Sequence, residues 1–270
     1  SSYVNFTGKV AKIYGSNDAT FTVYAATSIL LGGTYYAGSS TALDTSKGKL
    51  DIMLNPGRAS ANAGAGSLNI ATAGATVIRT QGGSITGVGG TSQTDYILGD
   101  VNGANGNPGV VLGGGSNVLS IYTNGGDIKI YGKSSATTYN SSSVAGLNMN
   151  GNLTFNTGAG SILLNGVGQA NSFAGVQSSC NTCSSAFTTT TGNINIIGST
   201  ITTSAYGVGL TAPIAMTSTS GNITIVGYNS FASTTTVNQS IVYLVAGNNI
   251  NTTSGNVTIQ GQVTGGYQSY

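Results

Sequence analysis

Gly192-Asn193-Ile194-Asn195-Ile196, Gly221-Asn222-Ile223-Thr224-Ile225 and Gly255-Asn256-Val257-Thr258-Ile259 are copies of one unit. Each is a glycine, a small polar residue, then an aliphatic–polar–aliphatic triplet. Gly151-Asn152-Leu153-Thr154-Phe155 and Gly126-Asp127-Ile128-Lys129-Ile130 share the same pattern. The triplets alternate with period two, the period of a β-strand, so Ile194 and Ile196 face one way and Asn193 and Asn195 the other. A strand this short cannot bury its apolar face alone. Stacked copies can, and stacking produces a solenoid.

The spacing supports coils of similar cross-section with loops of variable length. The best three glycines are 29 and 34 residues apart; upstream the interval is 18 from Gly48 to Gly66 and 17 from Gly66 to Gly83. Each long interval has room for two or three short strands. Between Gly221 and Gly255 lie Ile241-Val242-Tyr243-Leu244-Val245 and Asn249-Ile250-Asn251; between Gly192 and Gly221 lie Ser199-Thr200-Ile201-Thr202 and Gly209-Leu210-Thr211. Strands joined by turns in this way predict an all-β fold, a parallel β-helix forming one domain over residues 1–270. The stretch 1–36 is richer in aromatics, with Tyr35-Tyr36 placed to cover one side of the first coils. It reads either as a capping or interface segment or as further coils with wider loops. Residues 91–117, rich in glycine and asparagine and holding Asn107-Pro108-Gly109, read as a loop insertion.

Stacking gives the repeated asparagine a role. Asn152, Asn193, Asn222 and Asn256 share the slot after glycine, where amides at a strand spacing of about 4.8 Å can form a hydrogen-bonded ladder. The alternative is that asparagine simply suits a turn.

Composition narrows the function. Charged residues are 5% of the chain, the net charge is +2, and there is no basic cluster of the kind that neutralises nucleic-acid phosphates. Only 3 prolines accompany 43 glycines that have no three-residue period, which excludes collagen. No apolar run approaches the roughly 20 residues of a membrane helix. The chain starts at Ser1, so it is expected to be a processed product or a piece of something longer. A surface of hydroxyls and amides suits an exported protein.

Histidine and glutamate are absent, which removes Ser-His-Asp and Cys-His nucleophilic sites and histidine-based zinc sites. The acids are Asp18, Asp44, Asp51, Asp95, Asp100 and Asp127. A glycosidase needs two carboxylates across its substrate. Asp95 and Asp100, five apart, would point to opposite faces of one strand, while a turn at Gly48 brings Asp44 and Asp51 into the same neighbourhood. Isolated surface aspartates account for all six, so no catalytic, cofactor or metal site is assigned. Asp100 to Asn107 looks like a calcium loop but fails the EF-hand template at Ala104 and Val111. Gly87-Val88-Gly89-Gly90 lacks the lysine of a phosphate loop. Cys180 and Cys183, the only cysteines, have the spacing of a redox motif or half a zinc site, without the βαβ context of the first. In an exported protein they read as a small disulfide staple between coils; a free pair or an intermolecular link are the alternatives.

The Ser/Thr-Gly-Asn-aliphatic-polar-aliphatic units at 190–198, 219–227 and 254–261, with Ala246-Gly247-Asn248-Asn249-Ile250-Asn251-Thr252, resemble those of large bacterial exported adhesins of the filamentous-haemagglutinin type. Weaker likeness extends over Ser28–Leu54. The resemblance implies a right-handed parallel β-helix at the cell surface or outside the cell. It further implies a non-enzymatic rod for adhesion or biofilm formation, for which we expect host or surface glycans as partners. That family's secretion motif is not found in this chain. The uncharged tail Gly261 to Tyr270 leads us to expect a homo-oligomer or filament built end to end. Two other readings are a carbohydrate-active β-helix enzyme, and an ice- or surface-binding solenoid using threonines such as 188–191 and 234–236.

Overall fold

The computed structural model describes residues 4–6, 8–12, 16–37, 48–57, 66–72, 74–90, 95–99, 108–135, 141–169, 172–201, 205–230 and 241–263. These form a parallel β-solenoid of eight coils, each contributing one strand to each of three sheets. Coil 1 comprises β1 (Val4–Phe6), β2 (Lys9–Lys12) and β3 (Ala19–Ala25); coil 2 comprises β4 (Ile29–Leu31), β5 (Gly33–Ala37) and β6 (Leu50–Pro56). Coil 3 has β7 (Leu68–Ile70), β8 (Thr76–Arg79) and β9 (Ile85–Gly87), and then a two-residue strand β10 (Ile97–Leu98). Coil 4 has β11 (Val110–Leu112), β12 (Val118–Tyr122) and β13 (Ile128–Lys133); coil 5 has β14 (Ser141–Met149), β15 (Asn152–Gly158) and β16 (Ile162–Gly168). Coil 6 has β17 (Ser172–Ser178), β18 (Ser185–Thr189) and β19 (Ile194–Thr200); coil 7 has β20 (Tyr206–Leu210), β21 (Ile214–Ser218) and β22 (Ile223–Asn229). Coil 8 closes the series with β23 (Val242–Leu244), β24 (Asn249–Thr252) and β25 (Val257–Val263). The first strands of the coils make sheet A, the second sheet B and the third sheet C. Every pairing is parallel and joins a strand to its counterpart one coil away, β10 with β13 being the addition to this scheme.

Register is set by the apolar alternation, because a one-residue slip would turn each buried row outward. In sheet C the inward column runs Phe21, Ile52, Ile85, Ile128, Ile162, Ile194, Ile223, Val257. Beside it run Val23, Leu54, Gly87, Ile130, Leu164, Ile196, Ile225 and Ile259. Gly87 leaves a gap in that column, and the Leu68 side chain from sheet A fills it. Sheet B contributes Val10, Tyr35, Ile78, Ile121, Phe155, Phe187, Met216 and Ile250. These rows meet in one continuous core, completely buried from Ile29 to Ile225 apart from residues of a few per cent exposure.

The described strands within 1–36 form coil 1 and the first part of coil 2, paired in register with each other and with the third strand of coil 2. Tyr35 points inward, where its hydroxyl donates to the carbonyls of Gly32 (2.9 Å) and of Phe6 in the coil before (3.1 Å). Burial pushes its phenol well above the usual tyrosine range. Phe6 and Phe21 pack on its ring with centroids 5.8 Å away. Tyr36, on the opposite face of the strand from Tyr35, is also nearly buried, with the Lys9 ammonium 5.1 Å from its ring centroid.

The expected insertion at 91–117 also resolves differently. β11 lies inside it and is an ordinary sheet A strand, paired to β7 and β14. β10 pairs with β13, and Ile97 is fully buried. Only 91–94 and 100–107 fall outside the described residues.

The upstream glycine spacings compare different faces. Gly66 precedes a sheet A strand and Gly83 a sheet C strand, while Gly48 sits two residues ahead of the glycine column. Along sheet C the true coil lengths from Asp51 onward are 33, 43, 34, 32, 29 and 34 residues. The longest coil is the one carrying 91–94 and 100–107. Likewise Gly151-Asn152 opens a sheet B strand, not a sheet C strand like the other four copies. Ser199-Thr200 is the end of β19 rather than a strand of its own, and β21 is a strand the repeat pattern does not announce.

Candidate functional site

The repeat glycines of coils 3 to 8 gather at the corner where sheet B passes into sheet C. Gly83, Gly126, Gly160, Gly192, Gly221 and Gly255 stack there. A Cβ on any of the last five would lie well under 3.0 Å from the carbonyl of the glycine one coil before. None of these glycines has positive φ, so close backbone approach is what requires them, not a left-handed turn.

Three residues before each glycine stands a threonine or serine: Thr80, Thr123, Thr157, Thr189, Ser218, Thr252. The Thr80, Thr157 and Thr189 hydroxyls donate to the carbonyls of Gly83 (2.5 Å), Gly160 (2.5 Å) and Gly192 (2.6 Å), and Thr123 donates likewise to Gly126. In the last two coils the hydroxyl instead accepts from the glycine N–H, at 2.9 Å for Ser218 and 3.1 Å for Thr252. Thr252 also donates to Gly221 of the coil before, at 3.1 Å. These hydroxyls satisfy backbone groups at a corner where no ladder partner is at hand, the condition for burying them. A Thr/Ser-x-x-Gly search of the sequence finds this row, which a glycine-led reading misses.

The slot after the glycine forms a ladder of a kind different from stacked amides. Each side-chain oxygen accepts the backbone N–H of the residue in the same slot one coil later. The series runs Asp51 Oδ1 to Ser84 N–H (2.7 Å), Ser84 Oγ to Asp127 N–H (3.1 Å), and Asp127 Oδ1 to Ser161 N–H (2.8 Å). It continues with Ser161 Oγ to Asn193 (3.1 Å), Asn193 Oδ1 to Asn222 (2.8 Å) and Asn222 Oδ1 to Asn256 (2.8 Å). The requirement is a short side chain with an acceptor, which is why aspartate, serine and asparagine interchange. Asn193, Asn222 and Asn256 belong to it. Asn152 does not: it lies at the A-to-B corner, where its Oδ1 accepts from Ser184 N–H at 3.0 Å.

This accounts for three of the acids. Asp51 and Asp127 are ladder members, and Asp18 accepts the Lys49 N–H at 2.9 Å. Asp44 and Asp100, the calcium-like segment 100–107 and the threonines 234–236 lie outside the described residues. Among the described residues no three histidine, cysteine or acidic side chains gather as a metal site would need. Burial raises the Asp127 carboxyl pKa, but the hydrogen bond from Lys129, the Ser161 N–H and the Lys129 charge outweigh it and hold it below the usual range. Lys129 Nζ is 2.7 Å from Asp127 Oδ2. A carboxylate with a lowered folded pKa stabilises the fold above its unfolded value, and that contribution is lost as pH falls through the folded one. Asp127→Asn keeps the acceptor for Ser161. In acid titrations followed by circular dichroism, this variant is expected to lose less stability than the parent below about pH 4, while matching it near neutrality to within about 1 kcal/mol.

Cys180 and Cys183 form a disulfide with Cα atoms 5.3 Å apart. It closes the turn between β17 and β18 within one coil, so it is not a staple between coils. The two cysteines are nearly buried, and Cys183 Sγ packs 3.0 Å from the Gly115 carbonyl oxygen of coil 4.

The outer faces carry few charges. On sheet A a row of partly exposed rings, Phe173, Tyr206 and Tyr243, has centroid spacings of 5.1 and 5.0 Å. At the two ends of the coil stack the core columns are less covered than in the middle. Val257 and Ile259 of β25 are 44% and 49% exposed, against complete burial of Ile223 and Ile225 one coil earlier. Among the described residues no helix is long and apolar enough to cross a membrane. No family model, curated protein or solved structure matches the chain.

Proposed function

We propose that this protein is a non-enzymatic structural rod, working outside the cell or on a bacterial surface, whose copies associate end to end into fibres for adhesion or biofilm formation. The observation that carries the reading is coil 8. Among the described residues no further strand pairs with β23, β24 or β25, and Val257 and Ile259, whose counterparts one coil earlier are completely buried, stand exposed there. Open strand edges are templates for further pairing unless charge or proline blocks them, and β23, β24 and β25 hold neither. The small charge of the chain, the disulfide and the likeness of its repeats to filamentous-haemagglutinin-type adhesins support an exported setting. The aromatic row on sheet A is the outer surface we assign to adhesive contact, glycans included.

Electron microscopy of the purified full chain tests this. Filaments are expected for the parent protein. Ile259→Lys places a charge on the open end at a half-exposed site, and is expected to give dispersed particles with an unchanged melting curve. Strictly monomeric parent protein at high concentration would overturn the proposal.

A further inference from the structure

The two ends of the stack carry the same columns. In sheet C, Phe21 begins the column that Val257 finishes, and Val23 begins the one that Ile259 finishes. In sheet B the pair is Val10 and Ile250. In sheet A the pairs are Val4 with Val242 and Phe6 with Leu244. Of these, Val4, Phe6, Val10, Phe21, Val242, Leu244 and Ile250 are only partly buried, packed against the core from one side. Val23 is already buried at the coil 1 end, and at the other positions each end shows the other the apolar pattern that neighbouring coils already show each other.

The corner ladder adds a direction. Every oxygen in it reaches toward the coil after its own and every N–H toward the coil before. Asn256 occupies the donor-seeking slot at one end. Thr20 occupies the same column at the other, since it pairs with Asp51. The neighbouring Ala19 N–H bonds toward coil 2, at the Lys49 carbonyl, so by the alternation of strand backbone groups the Thr20 N–H faces away from coil 2.

Resting on the fibre proposal, we infer that the partner of coil 8 is coil 1 of a second copy, stacked head to tail and in register. β23, β24 and β25 pair in parallel with β1, β2 and β3 of the next copy. Val257 lies against Phe21, Ile259 against Val23 and Ile250 against Val10, and Asn256 Oδ1 accepts the Thr20 N–H. Two copies meeting through like ends would be related by a two-fold axis, with antiparallel strands and the ladder facing itself. A head-to-tail contact is heterologous and does not close, so it propagates. Eight coils at about 4.8 Å each give an axial repeat of about 38 Å per copy.

Thr22 and Thr258 are exposed and stand at opposite ends of one outward column, through Met53, Thr86, Lys129, Leu163, Asn195 and Thr224. Stacked in register, their Cα atoms lie about 4.8 Å apart, inside the disulfide range. The full chain carrying both Thr22→Cys and Thr258→Cys is expected to give, on mild oxidation, a ladder of covalent multimers on a non-reducing gel. Either single variant is expected to give none. Filaments of the unmodified protein should show the repeat of about 38 Å by cryo-electron microscopy. Filaments with a doubled repeat, dimers from Thr258→Cys alone, or filaments in which the double variant does not cross-link would overturn the head-to-tail register and leave the fibre proposal standing. Unassembled parent protein would overturn both.

Discussion

Gly192→Ala is expected to destabilise the solenoid by about 3 kcal/mol or more, the upper range for overpacking a site that cannot yield. The added Cβ would meet the Gly160 carbonyl oxygen and carbon, both backbone atoms held in the coil beneath. A flexible side chain could swing aside; a carbonyl in a stacked corner cannot. Relief would require coils 5 and 6 to separate locally, which would also stretch the Asn193 N–H bond to Ser161 and the Ile162 N–H bond to the Asn193 carbonyl. Denaturant unfolding of parent and variant measures the loss. Gly125→Ala makes the comparison informative. That glycine has φ of 119° with open space around its Cβ position, so its penalty arises from conformation alone. A Gly192→Ala loss no larger than about 1 kcal/mol would show that the corner relaxes and that the glycine column is not obligatory.

Phe155→Ala and Phe187→Ala are each expected to cost about 3–5 kcal/mol. Both rings are completely buried and stack face to face, with centroids 4.8 Å apart and planes 11° from parallel. They occupy the middle of the sheet B column, between Ile121 and Met216, where removing a ring leaves a cavity bounded by strands that cannot close on it. The double variant is expected to fall short of the sum of the singles, because each single loss already removes the ring–ring contact. Calorimetry or denaturant titration of the three variants decides it. Strict additivity would mean that the stack contributes burial only.

How far the architecture is legible depends on where information is local. Ile194 and Ile196 announce a strand through their own neighbours, and recurrence of that pattern announces stacking. The triplet does not say which of three sheets it joins. Gly151-Asn152-Leu153 reads like Gly192-Asn193-Ile194, yet one opens sheet B and the other sheet C. Loop lengths hide the register in the same way. Gly48 reads as a repeat glycine, yet the pairing of Ile52 with Ile85 puts Leu50 in the glycine's column. The two cysteines are the only partners for each other within the chain, but their confinement to one turn of one coil is not written in their spacing. The threonine row is present in the sequence as Thr/Ser-x-x-Gly and emerges only from a search at the right offset.

The candidate site divides along the same line. That short polar side chains recur after glycine is a property of the chain, and so is the absence of charge from the strands of coil 8, whereas β2 at the other end carries Lys9 and Lys12. That Asp51, Ser84, Asp127, Ser161, Asn193, Asn222 and Asn256 form one polar series cannot be read from spacing, because they sit 29 to 43 residues apart and differ in identity. By itself the sequence determined that the chain would be all-β, built of short strands with one apolar face, and stable only when stacked. Only the tertiary structure decided which strands became neighbours, why the repeat glycine is needed, and that both ends of the stack show the same columns. The physical reason is that alternation and turn chemistry act within a few residues. Register, corner contact and end matching are relations between coils, and they exist only once the chain has closed a full turn upon itself.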